Sequence, residues 1–142
     1  MRRRTLIAGV AIALAGCLGD DERLDARGDI AVTVDGEPVD LTADRFQAEH
    51  VEDAPLDFHL HEGDDDWYME GERRVTVAEA IDLLPAFGYE RTDDGVELTI
   101  DGTTYDLASS AVEVTYLVDG VRVDPEDHRL ADGETVHIEV ET

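Results

Sequence analysis

Three segments of the chain spell the same six-residue phrase, D-G-x-x-[V/Y]-D: Asp35–Asp40 (DGEPVD), Asp101–Asp106 (DGTTYD) and Asp119–Asp124 (DGVRVD). Each follows a short run in which apolar and polar residues alternate: IAVT (30–33), VELTI (96–100) and VEVTYLV (112–118). A two-residue loop between twisted antiparallel strands needs positive φ, which glycine adopts without a Cβ clash. Alternation with period 2 gives each strand one face for a core and one for water. The spacing of the phrase is irregular, so it marks a repeated turn and not a repeated domain.

The rest of the chain extends this β pattern. Asp35-Gly36 predicts a hairpin in which Val39–Thr42 returns along Ile30–Thr33. Thr103–Leu107, Val121–Val123 and Thr135–Val140 read as further strands, as do Phe58–His61 and Trp67–Glu70 around a turn at Gly63. Ala43–Pro55 reads as a loop or short helical turn that holds Phe46 and Val51 inward. One helix is expected. Thr76 and Glu79 have the form of a capping box, and Val77, Ala80, Ile81 and Leu84 lie on one helical face. Pro85 ends it, because proline brings no backbone donor. The fold class is therefore mainly β (α+β), built of antiparallel hairpins with one short helix.

The N-terminus is a separate matter. Residues 1–16 read MRRRTLIAGVAIALAG: arginines, a short apolar run, then small residues, the form of an export signal. The run is shorter than the roughly 20 apolar residues a membrane span needs. Arg3 and Arg4 with Thr5-Leu6-Ile7 look like a twin-arginine signal. Leu14-Ala15-Gly16-Cys17 looks like a lipobox, with Cys17, the chain's single cysteine, as the lipidated residue. The competing reading of Cys17 is a small buried thiol. The organisation expected is a signal at 1–16, a lipidated and flexible acidic tether at 17–29, and one exported domain at 30–142.

Charge sets the surface. The chain holds 36 Asp and Glu against 11 basic residues, all arginine, for a net charge of −25. Removing 1–16, which carries three arginines and no acid, leaves −28. So acidic a surface excludes nucleic acid as a partner. Disorder is the usual meaning of such charge, but 42% of the residues are hydrophobic and arranged in regular runs. The composition resembles that of haloarchaeal proteins, in which Asp and Glu replace Lys. It also means that paired carboxylates are no sign of catalysis by themselves.

Against that background FHLHEGDDDWYMEG (58–71) stands out. On a strand, His59 and His61 share one face about 6.5–7 Å apart, close enough for two imidazoles to share an ion. Phe58 and Leu60 take the buried face. A third ligand is expected from Tyr68, Met69 or Glu70, with His50 or His128 as spatial alternatives. His with Met favours copper; His with a carboxylate favours zinc or manganese. The alternative is that both histidines sit on a solvent face, and a slip of one residue would bury both. Asp64-Asp65-Asp66 lacks the spacing of a calcium loop. Trp67 reads as a core residue whose indole N–H finds one acceptor. The serines, Ser109-Ser110, lie outside any G-x-S-x-G elbow, and no phosphate-binding glycine loop is present.

Two resemblances follow from these residues. YLVDGVRVDPEDHRLADGETVHIEV (116–140) resembles the end of β-grasp domains: a strand, a D-G turn, a leucine, a second D-G and a last strand. His59-Leu60-His61-Glu62, Tyr68-Met69-Glu70, the helix from Val75 to Leu84 and Val118-Asp119-Gly120 are similar to a group of exported bacterial proteins. In that group the strands read H-T-H-D and I-H-I-E, and a V-N-G hairpin follows. Tyr68 stands where the group has its third histidine, so three-histidine ligation would lack one ligand here. The expected function is a non-catalytic binding module. It is lipid-anchored at the extracellular face of the cytoplasmic membrane and holds copper or zinc through His59 and His61. The rival is a metal-independent scaffold that docks an envelope protein or transporter; a hydrolase is a distant third.

Overall fold

The computed structural model describes residues 24–64 and 66–142. Arg3, Arg4 and Cys17 lie outside the described residues. The elements run β1 (Ala26–Val34), β2 (Glu37–Pro38), two 3-10 turns (Asp44–Phe46 and Ala48–His50), β3 (His59–Leu60), β4 (Asp66–Met69) and α1 (Val77–Leu83). There follow β5 (Gly88–Thr92), β6 (Gly95–Ile100), β7 (Thr103–Asp106), β8 (Glu113–Val118), β9 (Val121–Arg122) and β10 (Val136–Glu141). The chain is mainly β with one α-helix among the described residues. No helix there is long and apolar enough to cross a membrane.

A seven-stranded sheet has the order β3-β4-β1-β10-β8-β9, with β2 also against β1. A second, antiparallel sheet has the order β5-β6-β7. The expected hairpins are present, but the centre of the large sheet is not a hairpin. β1 and β10 run parallel, Ile30 opposite Val136 through Val34 opposite Val140. Alternation tells a strand which face to bury and says nothing of its direction. This pair closes over more than a hundred residues, so no local turn could announce it. The segment that resembles a β-grasp ending folds as β8, the Asp119-Gly120 turn, β9, the buried Leu130 and β10.

Two expected boundaries move and one strand is added. β1 starts at Ala26, so the last four residues of the predicted 17–29 tether belong to the sheet. They pair antiparallel with β4, Ala26 opposite Met69 through Asp29 opposite Asp66. The return along β1 is only Glu37–Pro38, because Asp40 takes the chain away by accepting from the Thr42 N–H. Gly88–Thr92 is a strand that the alternation does not mark; its adjacent residues Glu90 and Arg91 are both exposed and no residue in it is fully buried.

The local signals hold. Asp35-Gly36, Asp101-Gly102 and Asp119-Gly120 all have positive φ at both positions, 50–53° for the aspartates and 81–83° for the glycines. This is the type I′ geometry that matches strand twist. The closing aspartate of each phrase also acts: Asp40, Asp106 and Asp124 each accept from the backbone N–H two residues on, which starts the next bend. Thr76 and Glu79 form both bonds of the capping box.

One core joins the layers. Val32, Val136, Ile138 and Val140 from the large sheet meet Val77, Ile81 and Leu84 from the helix side and Leu98 and Ile100 from the small sheet. Phe46 is fully buried and meets Phe87 edge-on at 5.3 Å; Val51 is half-buried. Trp67 is fully buried and donates its indole N–H to the Glu134 carbonyl at 3.0 Å. Gly28 makes this crossing possible, since a Cβ there would collide with that carbonyl and with the indole.

Candidate metal centre

The site grows from the register of one short ladder. His59 pairs with Tyr68 and Leu60 with Trp67. Leu60, Trp67 and Met69 therefore face the core, and all three are fully buried. His59, Tyr68 and Glu70 take the opposite side, with His61 just beyond the end of β3. The two histidines do share a face, as the two-residue spacing predicts. That face is only partly open to solvent, however. His59 is only 4% exposed, while His61 and Glu70 are about a third exposed at 32% and 39%. A sequence sees one strand at a time and cannot see what lies over its outer face. Here it is the Pro55–Leu56 stretch, from which the Leu56 carbonyl accepts the Glu70 N–H at 2.8 Å.

Three ligand atoms converge. His59 Nε2 lies 3.1 Å from His61 Nε2 and 2.8 Å from Glu70 Oε1, and His61 Nε2 lies 3.5 Å from the same oxygen. The far nitrogens determine what these atoms are. His59 Nδ1 is 2.9 Å from the Pro55 carbonyl, which can only accept, so Nδ1 carries the proton. His61 Nδ1 is 2.8 Å from Glu49 Oε2. The Glu49 carboxyl is pulled down to about 2 by the His61 bond and then by the Glu62 N–H, so it too can only accept. In the neutral imidazoles both Nε2 atoms are then lone pairs, and with Glu70 Oε1 three acceptors face one another. Such a set suits a cation at its centre.

The spacing suits a metal. The point equidistant from the three atoms lies about 1.8 Å from each, so an ion at bonds of roughly 2.0–2.1 Å would sit about 1 Å out of their plane. That would supply three corners of a tetrahedron and leave the fourth for another ligand.

The other candidates fall elsewhere. Met69 belongs to the core, so the thioether that would favour copper is withdrawn; strand alternation places it beside Trp67 and not beside Glu70. Tyr68 is not a ligand either. Its hydroxyl donates to Asp64 at 2.8 Å, its ring meets His61 edge-on at 4.5 Å, and Arg27 lies over it at 5.4 Å. His50 joins Asp44 and Glu62 in a second, exposed group on the surface. His128 pairs with Glu134 near the Trp67 crossing. Asp64 and Asp66 serve as acceptors for Tyr68 and Arg27. Glu49 carries no sequence signal at all, being one acid among 36 and twelve residues before His61.

His61 shows the balance of forces at the rim. Burial disfavours its cation, but the bonds and charges of Glu49 and Glu70 outweigh this and raise its pKa. Comparison of the chain with protein-family models, curated proteins and solved structures finds no match.

Proposed function

We propose that the chain is an exported, lipid-anchored domain that holds one divalent transition-metal ion at His59, His61 and Glu70. The observation that carries this is the convergence of three ligand atoms, two of them imidazole nitrogens whose rings are fixed on the far side by hydrogen bonds. Two neutral imidazoles and one carboxylate are the donor set of a zinc-type ion. The strongly negative chain draws cations toward it. The sequence from Arg3 to Cys17 supports export and lipidation, and with them a place at the outer face of the cytoplasmic membrane. With a partly open rim and a free fourth corner, the bound ion is exchangeable, as in a protein that binds or hands on metal.

The test is a calorimetric zinc titration of the purified protein in molar NaCl, with metal content measured after desalting. The reading expects one ion per chain, lost in His59→Ala/His61→Ala and retained in Met69→Leu. A well-folded wild type that takes up no zinc and no copper(II) would overturn it and leave the envelope-scaffold reading standing.

A further inference from the structure

We infer that Glu49 is a positioning residue of this centre, holding His61 in the orientation and tautomer that ligation requires. The inference rests on the metal reading above and adds a residue that touches none of the three converging atoms. Its two oxygens do separate jobs. Oε2 accepts from His61 Nδ1 at 2.8 Å, and Oε1 accepts from the Glu62 backbone N–H at 2.8 Å. The carboxylate thus bridges the imidazole and the backbone one residue further on, which fixes the ring relative to its own chain. His59 needs no such side chain, because the Pro55 carbonyl holds its Nδ1.

The placement of Glu49 is itself fixed. It lies in the 3-10 turn Ala48–His50, directly after the fully buried Phe46 and Gln47, and Gln47 bridges to Leu60 beside the site. The core thereby sets the position of the carboxylate. A carboxylate behind a metal-bound histidine sets the tautomer and raises the basicity of the ligand, and losing one typically weakens metal binding about 10- to 100-fold.

The fold supplies its own control. Glu62 pairs with His50 at 2.9 Å, so Glu49-His50 and His61-Glu62 face each other with reciprocal His–Glu pairs. Glu62→Gln removes the same charge from the same neighbourhood without touching a ligand imidazole. Glu49→Gln keeps an oxygen for the Glu62 N–H, so the backbone tie survives.

The experiment is competitive zinc titration of the purified wild type, Glu49→Gln and Glu62→Gln in molar NaCl. It is run beside ¹⁵N NMR of His61 in the metal-free proteins at a pH where the ring is neutral. Zinc should bind roughly 10- to 100-fold more weakly to Glu49→Gln. It should change by no more than about threefold in Glu62→Gln, because molar salt screens a charge that makes no direct contact. The wild-type His61 should be the Nδ1–H tautomer and Glu49→Gln should lose that preference. Equal, small losses in both variants would overturn the inference and reduce Glu49 to one more charge. If the wild type binds no zinc, the metal reading fails, and the tautomer decides Glu49 by itself: a preference lost in Glu49→Gln keeps the positioning role, and an unchanged one removes it.

Discussion

His59 is the residue on which the site turns, because its two nitrogens face two different worlds. Nδ1 is tied to the Pro55 carbonyl inside the fold, and Nε2 looks toward His61 and Glu70. Glu70→Gln replaces a charged ligand by a weaker neutral one and should weaken zinc binding by tenfold or more in the same titration, with little change in melting. The Glu49–His61 pair gives a pH signature in the metal-free protein. Glu49 is depressed from its ordinary 4.5 to about 2, so its contribution is present above 4.5 and lost as pH falls toward 2. His61 is raised above 6.5, so its contribution is full below 6.5 and fades as pH climbs through the raised value. The difference in melting temperature between wild type and Glu49→Gln should therefore be largest between pH 4.5 and 6.5, and small because both groups are partly exposed. Zinc binding runs the other way and should weaken as pH drops through the histidine range, since each proton competes for a ligand lone pair.

At the scale of elements, the local devices carry predictions that need no metal. Gly102 turns the β6–β7 hairpin at φ +83° with open space around it, so Gly102→Ala should cost about 1–2 kcal/mol from backbone strain alone. Thr76→Ala removes the N-cap of α1 and should cost about 1 kcal/mol; denaturant melts measure both. These elements were legible because their signals are local: D-G with alternation on either side, and T-x-x-E before an apolar helical face. The two-residue spacing of His59 and His61 likewise predicts their shared face. What sequence could not supply depends on contacts between distant segments. The parallel β1–β10 pair, the extension of β1 back to Ala26 through its pairing with β4, the cover over His59 and the approach of Glu49 are all of this kind. Met69 is different: the alternation Trp67-in, Tyr68-out, Met69-in was already available to exclude it in favour of Glu70.

For the whole molecule, charge governs stability. The chain folds around one apolar core while carrying a net −25. Its described arginines are largely spent locally, as in Arg45 with Asp101, Arg73 with Asp57 and Glu79, and Arg91 with Glu126. These pairs cannot offset the surplus of acids, so self-repulsion at low salt opposes the compact state. Raising salt from 0.1 to 1 M shortens the screening length from about 10 to about 3 Å. The midpoint of thermal unfolding should rise steeply over that range; a flat profile would mean that the acidic surface is not a stability burden. The same surplus explains why acidic clusters were poor guides to function here, and why the geometry around two histidines carries the argument. The most direct test of that geometry is an anomalous-difference map from zinc-loaded crystals grown in molar salt. The account predicts one strong peak bonded to His59 Nε2, His61 Nε2 and a Glu70 oxygen. A peak elsewhere, or none at a folded His59–His61 pair, would contradict it.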